Sequence, residues 1–404
     1  MRSTTDFKET GILNNMKGVT IEDSIFSTMF AKVIVIILAV FFFLVSIDLV
    51  ITALSGSLSF INENLLSTAL NPFVGLFLGL LVTAIIQSSS TTSTMVVALV
   101  ASGTLSLEEA VPIIMGANVG TTLTSTIVAL GFISNKRAFR RAVAVGTIHD
   151  FYNIILVLIL FPLEHYYGFL SRVSFYFSEL IYGKGVSEAS PLGDAVLGSG
   201  LTSQFVLWVN NSVLILIISF AFLFASIKLL TWIIKKTIIG ESKNRLQSFV
   251  FGKPIKSFSW GVLLTAAIQS SSVTTSILVP LAAADKIKLK NAFTFIIGAN
   301  VGTTLTALIA AGFRSEAAAT IAIAHLLFNL SGVVIFMSLP ILRKLLVHFV
   351  KEFSYAIAKF RVIGLAYIII MFFLLPFLLI SLNRNVDEPV NRAPETGMSE
   401  NLVR

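Results

Sequence analysis

One polar run, Gln87-Ser88-Ser89-Ser90-Thr91-Thr92-Ser93-Thr94, interrupts an otherwise apolar segment of the chain. A second copy, Gln269-Ser270-Ser271-Ser272-Val273-Thr274-Thr275-Ser276, begins 182 residues later. Each copy is followed at the same distance by an identical string, which occupies Gly116–Thr124 in the first case and Gly298–Thr306 in the second. Self-similarity at a fixed offset indicates that the chain is built from two related halves.

The composition identifies the class of protein. Of 404 residues, 55% are hydrophobic and only 12% are charged, and the mean hydropathy is +0.90. Soluble domains carry roughly twice that charged fraction. Several apolar runs approach or exceed the roughly 20 residues that a helix needs to cross hydrocarbon. Since these runs do not alternate polar and apolar residues as barrel strands do, we predict an all-α polytopic membrane protein.

Charge and cysteine content exclude other classes. The net charge is +8, but the positive residues lie in short loops between apolar segments, which is typical of cytoplasmic loops and does not indicate nucleic-acid binding. There is no cysteine, so disulfides and thiol chemistry are excluded. Because the positive loops are expected in the cytoplasm, the N-terminus is expected there as well. The number of predicted crossings then places the C-terminus outside.

The polar runs divide the chain into segments. Pro72–Ala101 and Phe258–Ala284 are interpreted as re-entrant helical hairpins, and Leu107–Ile133 and Asn291–Phe313 as helices broken at their glycine-rich strings. The hairpins would enter from opposite sides, which makes an inverted-topology repeat suited to alternating access. The predicted order is a cytoplasmic tail (1–29), a first transmembrane repeat (30–162), an external loop (163–203), a second transmembrane repeat (204–340), an interfacial amphipathic helix (341–361), a last transmembrane helix (362–382) and an external tail (383–404).

Two matched interruptions of this kind are typical of a secondary transporter with a mid-membrane site. Irregular backbone survives at membrane depth only when it is buried in protein or lines a cavity. Half-helix N-termini offer N–H donors to an oxyanion, while freed carbonyls and side-chain oxygens suit Na⁺. A single Ser/Thr patch is more often contact between helices, but its duplication favours a binding site. A serine nucleophile is disfavoured because neither copy has a G-x-S-x-G setting or a matched base.

Three further features are candidate ligands or structural contacts. Asn118 and Asn300 are placed at the presumed helix breaks, where their side chains could bind an ion or cap a half-helix. A His-x₃-Asn pattern occurs at His149–Asn153 and again at His325–Asn329, which puts both side chains of each pair on one helix face. Interhelical hydrogen bonding is the expected role of the histidines. Asp150 has no counterpart, because Leu326 occupies the matching position. We expect Asp150 to bind a cation, the alternative being a salt bridge to Arg140 or Arg141.

These strings resemble the type II sodium-coupled phosphate cotransporters. The resemblance rests on both QSSS runs, on PIIMGANVGTT (Pro112–Thr122), STIVAL (Ser125–Leu130) and FRRA (Phe139–Ala142), and on His149-Asp150-Phe151. It implies Na⁺-driven uptake of inorganic phosphate by an inverted-repeat fold, with no enzymatic activity and no cofactor beyond the co-transported Na⁺. The implied phosphate-binding residues are Ser88, Ser89, Ser90, Thr121, Ser270, Ser271, Ser272 and Thr303. The implied sodium-binding residues are Gln87, Ser90, Asn118, Thr126, Asp150, Gln269 and Asn300.

The chain also departs from the animal members of that family. Phe132 and Asn135 stand where those members carry a Gln and an Asp of a sodium site, and Ala299 replaces a Ser. The Na⁺ stoichiometry therefore stays open. The lack of cysteine points to a bacterial inner-membrane version, monomeric or dimeric. The alternatives left open are a membrane phosphate sensor and a sodium-coupled transporter of another oxyanion.

Overall fold

A computed structural model describes residues 71–182, 250–311 and 315–383, with scattered positions between 34 and 49 and between 204 and 225. The elements assigned in this part of the chain are all helical. In the first half they are α1 (Pro72–Ile86), α2 (Ser89–Ala101), α3 (Leu107–Gly120), α4 (Leu123–Leu130), α5 (Lys136–Tyr167) and α6 (Phe169–Tyr182). In the second half they are α7 (Pro254–Ile268), α8 (Ser271–Ser276), α9 (Leu278–Ala283), α10 (Leu289–Ala311), α11 (Glu316–Ser338), α12 (Pro340–Lys359), α13 (Arg361–Ile369), a π-helical turn (Ile370–Leu374) and α14 (Leu375–Asn383).

The sequence repeat is also a structural repeat. α1 and α7 each begin with a proline in the first turn, where its missing N–H costs nothing. Each is followed by a short break and a second helix, which is α2 in the first half and α8 continuing into α9 in the second. α3 and α10 then occupy equivalent places in the order of elements. The predicted interruptions at Gln87 and Gln269 are therefore confirmed.

The predicted breaks at the glycine strings are wrong. α3 is continuous through Gly116 and Gly120, and its discontinuity lies one step later, at Thr121–Thr122. α10 runs without a break through Gly298 and beyond. The glycines instead allow close helix contact, since a Cβ at Gly116 would overlap the carbonyl oxygen of Leu76 and one at Gly298 that of Phe258. Small residues at such contacts let two membrane helices approach backbone to backbone.

The segment assigned to an external loop, 163–203, begins as helix. α5 extends to Tyr167 and α6 follows after Gly168, which has a left-handed backbone. Glu164 holds this corner, because its carboxylate accepts hydrogen bonds from the backbone N–H groups of Leu170 (2.6 Å) and Ser171 (3.2 Å). The polar residues of this stretch thus cap and turn helices, and residues 183–203 lie outside the described part.

Five described segments are long and apolar enough to cross a membrane: Leu107–Leu130, Lys136–Tyr167, Leu289–Ala311, Glu316–Ser338 and Arg361–Leu382. The first four are largely buried in the protein, whereas the last has mostly exposed side chains. The helix predicted at 341–361 is present as α12. It buries Leu346 and Val350 against the protein and exposes Ile341 and Leu345.

Other predicted segments lie outside the described residues. The terminal tails at 1–29 and 384–404 fall there, as do nearly all of the first predicted crossing after residue 30 and the crossing that follows residue 203.

Candidate functional site

The turn between α1 and α2 and the turn between α7 and α8, called the tips below, are built by the same local geometry. α1 ends at Gln87, which adopts a left-handed conformation with φ +60°, and its N–H still bonds to the carbonyl of Thr83. α7 ends in the same way at Gln269, with φ +54°. Left-handed backbone is unfavourable for a residue with a Cβ, so these positions are held by their surroundings. The chain then turns directly into the N-terminus of the next helix.

The serine after each glutamine caps that helix. The hydroxyl of Ser88 accepts a hydrogen bond from the N–H of Thr91, at 3.3 Å, and Ser270 caps α8 through the N–H of Val273, at 3.4 Å. A serine cap satisfies one of the free N–H groups at a helix start, and the others remain available to a ligand. In each QSSS run the glutamine therefore makes the turn, and the first serine caps the helix that follows.

The two tips meet in the interior of the protein. The hydroxyl oxygens of Ser89 and Ser271 lie 3.4 Å apart, although 182 residues separate them in sequence. The hydroxyl of Ser90 donates to the carbonyl oxygen of Gln269 at 2.9 Å. All four residues are buried or nearly so. The structure thus places one polar run from each half at a single location, where hydroxyls and helix N-termini converge.

Other predicted phosphate ligands bond to their own helices. Thr121 and Thr303 donate to the carbonyls of Ala117 and Ala299, each at 2.9 Å. Both threonines are buried, and they occupy equivalent places in the two halves. Ser272, the last member of the second QSSS run, is also buried.

A network of histidines and asparagines joins the halves. The ring Nε2 of His149 lies 2.8 Å from Oδ1 of Asn300, whose amide group donates to Oδ1 of Asn153 at 2.7 Å. On the other side, His325 Nε2 lies 3.4 Å from Oδ1 of Asn118. The predicted interhelical role of the histidines is confirmed. The asparagines, however, lie within continuous helices and engage these partners, so their predicted place at helix breaks is wrong.

Asp150 is fully buried and contacts hydroxyl groups. Its Oδ2 accepts hydrogen bonds from Thr126 and from Tyr367, each at 2.9 Å. Its Oδ1 has no hydrogen-bond partner within the described ranges. The alternative of a salt bridge to Arg140 or Arg141 is wrong, because the one ion pair among the described residues joins Arg141 to Asp285 at 3.2 Å. Arg141 also donates to the Ala283 carbonyl. The arrangement leaves a buried carboxylate oxygen free to take a cation.

Gln87 and Thr126 lie in the same polar region of the first half. The hydroxyl of Thr124 donates to Oε1 of Gln87 at 2.6 Å, which ties the first tip to α4. The amide nitrogen of Gln87 bonds to the carbonyl of Ala84. α4 therefore contacts the first tip through Thr124 and the Asp150 carboxylate through Thr126.

Sequence reasoning missed two members of the site. The sequence pattern places Asn153 only on a helix face with His149, yet its side chain bridges Asn300 and the backbone carbonyl of Asn118. Tyr367 was not selected at all. A signal existed in both cases, since a lone polar side chain inside an apolar crossing needs a partner.

The chemistry of the site is that of oxygen ligands. Within the described ranges no group of three or more His, Cys, Asp and Glu side chains could hold a metal ion of the zinc type. Hydroxyls, amide oxygens and one carboxylate suit a hard cation, and hydroxyls with helix N–H groups suit an oxyanion.

Comparison with known proteins agrees with this chemistry. A family profile described as Na⁺/Pi-cotransporter matches residues 42–185 and 221–368, which is more than half of the chain. The chain belongs to the Na⁺/Pi-cotransporter family. The members of this family are transporters. Because the described residues also include five helical segments long and apolar enough to cross a membrane, this Na⁺/Pi-cotransporter-family chain is an integral membrane protein.

Several curated relatives are similar to this Na⁺/Pi-cotransporter-family chain. The human sodium-dependent phosphate transport protein 2B is 28% identical over 87% of this chain and 65% of its own length. The bovine protein 2B is 29% identical over the same shares. The rat sodium-dependent phosphate transport protein 2A is 30% identical over 78% of this chain and 61% of its own length. The chain thus spans less than two thirds of these relatives, and no solved structure matches it.

Proposed function

We propose that this protein is a symporter that imports inorganic phosphate with the Na⁺ gradient. The observation that carries the proposal is the 3.4 Å contact between Ser89 and Ser271, because it unites the QSSS runs of both halves. The names of the relatives support both the anion and the coupling ion. Na⁺ enters as a co-transported substrate, and the proposal includes neither a resident cofactor nor a catalytic residue.

The phosphate is placed between the hairpin tips. The N-termini of α2 and of Ser271–Ala283 carry partial positive charge and spare N–H donors, which bind phosphate without a fixed arginine. Serine hydroxyls can turn to donate to each phosphate oxygen. In this proposal Ser88–Ser90 and Ser270–Ser272 form the anion site, with Thr121 and Thr303 behind them.

One Na⁺ is placed at Asp150 and Thr126. The free Oδ1 of Asp150 and the hydroxyl of Thr126 are adjacent oxygen ligands, and burial strengthens their attraction for a cation. The Gln87 and Gln269 carbonyls, with Ser90, Asn118 and Asn300, are the proposed ligands of further sodium sites. A cation beside a bound anion offsets the cost of placing either charge in a low-dielectric interior.

The two halves are proposed to be inverted in the membrane. The turn after the first hairpin carries Glu108, whereas the equivalent position after the second hairpin carries Lys290. Lysine-rich turns favour the cytoplasmic side, so the first turn faces out and the second faces in. Exchange between two mirrored conformations would then expose the site alternately to each side.

The first experiment is uptake of radiolabelled phosphate into proteoliposomes that contain the purified protein. An inward Na⁺ gradient should drive accumulation, and an equal K⁺ gradient should not. Ser89→Ala and Ser271→Ala should each weaken the apparent phosphate affinity, since each removes a donor at the tip. Ser174→Ala is the matched control, because Ser174 is equally buried but bonds within α6.

A second oxyanion is a candidate because the described tip contacts involve hydroxyls and carbonyls rather than a cationic side chain. Arsenate should be tested as a competitor in the same assay. Phosphate uptake that does not depend on Na⁺ would contradict the proposed symporter. An apparent phosphate affinity that is unchanged in both Ser89→Ala and Ser271→Ala would contradict it as well.

A further inference from the structure

A basic pocket lies beside the turn between α9 and α10, at the far end of α8 and α9 from the second tip. It encloses about 810 Å³ and is formed by the start of α5, the turn between α9 and α10, and one face of α12. None of the QSSS residues lines it. The pocket is therefore distinct from the site proposed for transport.

The pocket is rich in positive charge. Five cationic side chains line it, against the carboxylates of Asp285 and Glu352. The cations are Arg140, Arg141, Lys288, Lys290 and Lys351. Arg141 is paired with Asp285, and in the described ranges no ion pair joins the other four to an acidic partner. A cluster of cations that lacks internal partners is suited to an external anion.

The size and floor of the pocket indicate the kind of anion. A volume of about 810 Å³ is in the range of sites for small organic ligands and far exceeds a single phosphate. The floor is apolar and buried, with Ala144, Ala282 and Ile287 at 8% exposure or less. Tyr355 and Ser354 add hydroxyl groups to the wall. Charged rim and apolar floor together fit an organic molecule with an anionic head.

The helix that forms one wall also presents an exposed apolar stripe, of which Phe349 packs in part against Phe151. α12 contributes Lys351 to the pocket, while Ile341, Leu345 and Phe349 are exposed at 82%, 62% and 49% along its length. An amphipathic helix with such a stripe is typical of the membrane interface. Basic pockets at that depth on the cytoplasmic side bind anionic headgroups.

We propose that this pocket binds a phosphate-bearing organic anion. That chemistry has two sources, the headgroup of an anionic phospholipid and a soluble phosphate ester. The ligand bridges α12 to the turn between α9 and α10, so its binding stabilises the folded protein independently of transport.

Binding is tested with the full-length protein in dodecyl maltoside, without Na⁺ and without a gradient. Native mass spectrometry and the shift in thermal unfolding temperature are measured with phosphatidic acid, phosphatidylglycerol and phosphatidylcholine. sn-Glycerol 3-phosphate supplies the phosphate monoester of phosphatidic acid without acyl chains. Preference for the anionic lipids alone assigns the site to lipid, and equal binding of glycerol 3-phosphate assigns it to a soluble ester.

The variant Lys288→Gln/Lys351→Gln should weaken binding of the preferred ligand at least tenfold, because each lysine at such a surface contributes roughly a several-fold gain. The matched control is Arg343→Gln/Lys344→Gln, which removes two charges from α12, the helix of Lys351, outside the pocket. Glu352→Gln should strengthen binding several-fold, a gain that misfolding cannot produce. Equal binding of zwitterionic and anionic lipid with no effect of glycerol 3-phosphate, or unchanged affinity in the Lys288/Lys351 pair, would overturn the proposal.

Discussion

Asp150 brings a carboxylate into the buried polar region of the first half, where the second half has Leu326. Two hydroxyl groups, from Thr126 and Tyr367, bond to the same oxygen of this carboxylate. The two donors are alike as hydrogen-bonding groups, but only Thr126 is a proposed Na⁺ ligand. Comparing variants of Thr126 and Tyr367 therefore distinguishes direct binding of Na⁺ from hydrogen bonding that only supports the Asp150 carboxylate.

Thr126→Val should raise the Na⁺ concentration for half-maximal uptake roughly fivefold, as expected for the loss of one polar contact of about 1 kcal/mol. Tyr367→Phe removes an equivalent donor without removing a proposed ligand, so its effect should be smaller. The measurement is Na⁺-dependent phosphate uptake over a range of Na⁺ concentrations. Equal shifts in both variants would show that Thr126 acts only by supporting Asp150.

Asp150→Asn should reduce the charge moved per phosphate, because the neutral amide no longer balances a bound cation in the membrane interior. The measurement is uptake as a function of imposed voltage in proteoliposomes. Asp285→Asn is the control, since that carboxylate lies at an exposed turn and is 73% exposed. An Asp150→Asn protein with unchanged voltage dependence would remove Asp150 from the proposed sodium site.

Among the elements, the paired helices α1 with α3 and α7 with α10 are packed most closely. Gly116 faces the carbonyl of Leu76, and Gly298 faces that of Phe258. Backbone atoms cannot move aside as a flexible side chain can. Even one added methyl group therefore has to separate two helices.

Gly116→Ala and Gly298→Ala should each destabilise the protein by more than the roughly 1–3 kcal/mol that overpacking commonly costs. Gly75→Ala on α1 is the matched control, because its added Cβ would meet the side chain of Ile113 at 3.3 Å, which can adjust. Thermal unfolding in detergent and folded yield are the measurements. If Gly116→Ala is as stable as Gly75→Ala, the close contact between the helices is not needed.

The elements also show where sequence reasoning succeeds. The breaks at Gln87 and Gln269 could be predicted, because a polar run in an apolar segment must be buried and a serine is a strong helix cap. The glycine string is ambiguous, since glycine permits both a turn and a close helix contact, and here the contact is realised. The partners of Asn118 and Tyr367 depend on side chains distant in sequence, which no local pattern contains.

At the scale of the whole molecule, matching positions of the two halves carry opposite charge. Glu108 and Lys290 are exposed at equivalent turns, 182 residues apart. The inverted arrangement requires them to lie on opposite sides of the membrane. A parallel repeat would place both on one side.

The absence of native cysteine makes this directly testable. Single variants Glu108→Cys and Lys290→Cys should react with a membrane-impermeant maleimide from opposite sides, the first from outside and the second from inside. Intact cells are compared with inside-out vesicles, and permeabilised cells report full labelling. Labelling of both cysteines from the same side would refute the inverted repeat.

The contrast between contacts within and between the halves has a mechanical consequence. Within each half, backbone meets backbone at Gly116 or Gly298, which holds α1 against α3 and α7 against α10 at a short distance. Between the halves, the contacts include hydrogen bonds at Ser89, Ser271 and the asparagine–histidine pairs, which water or an ion can replace, and the aromatic packing of Tyr152 against Phe293 and Phe336. The contacts between the halves that are easiest to exchange are thus the hydrogen bonds at the place where the cargo is proposed to sit, and the aromatic contacts are those that any larger movement has to rearrange.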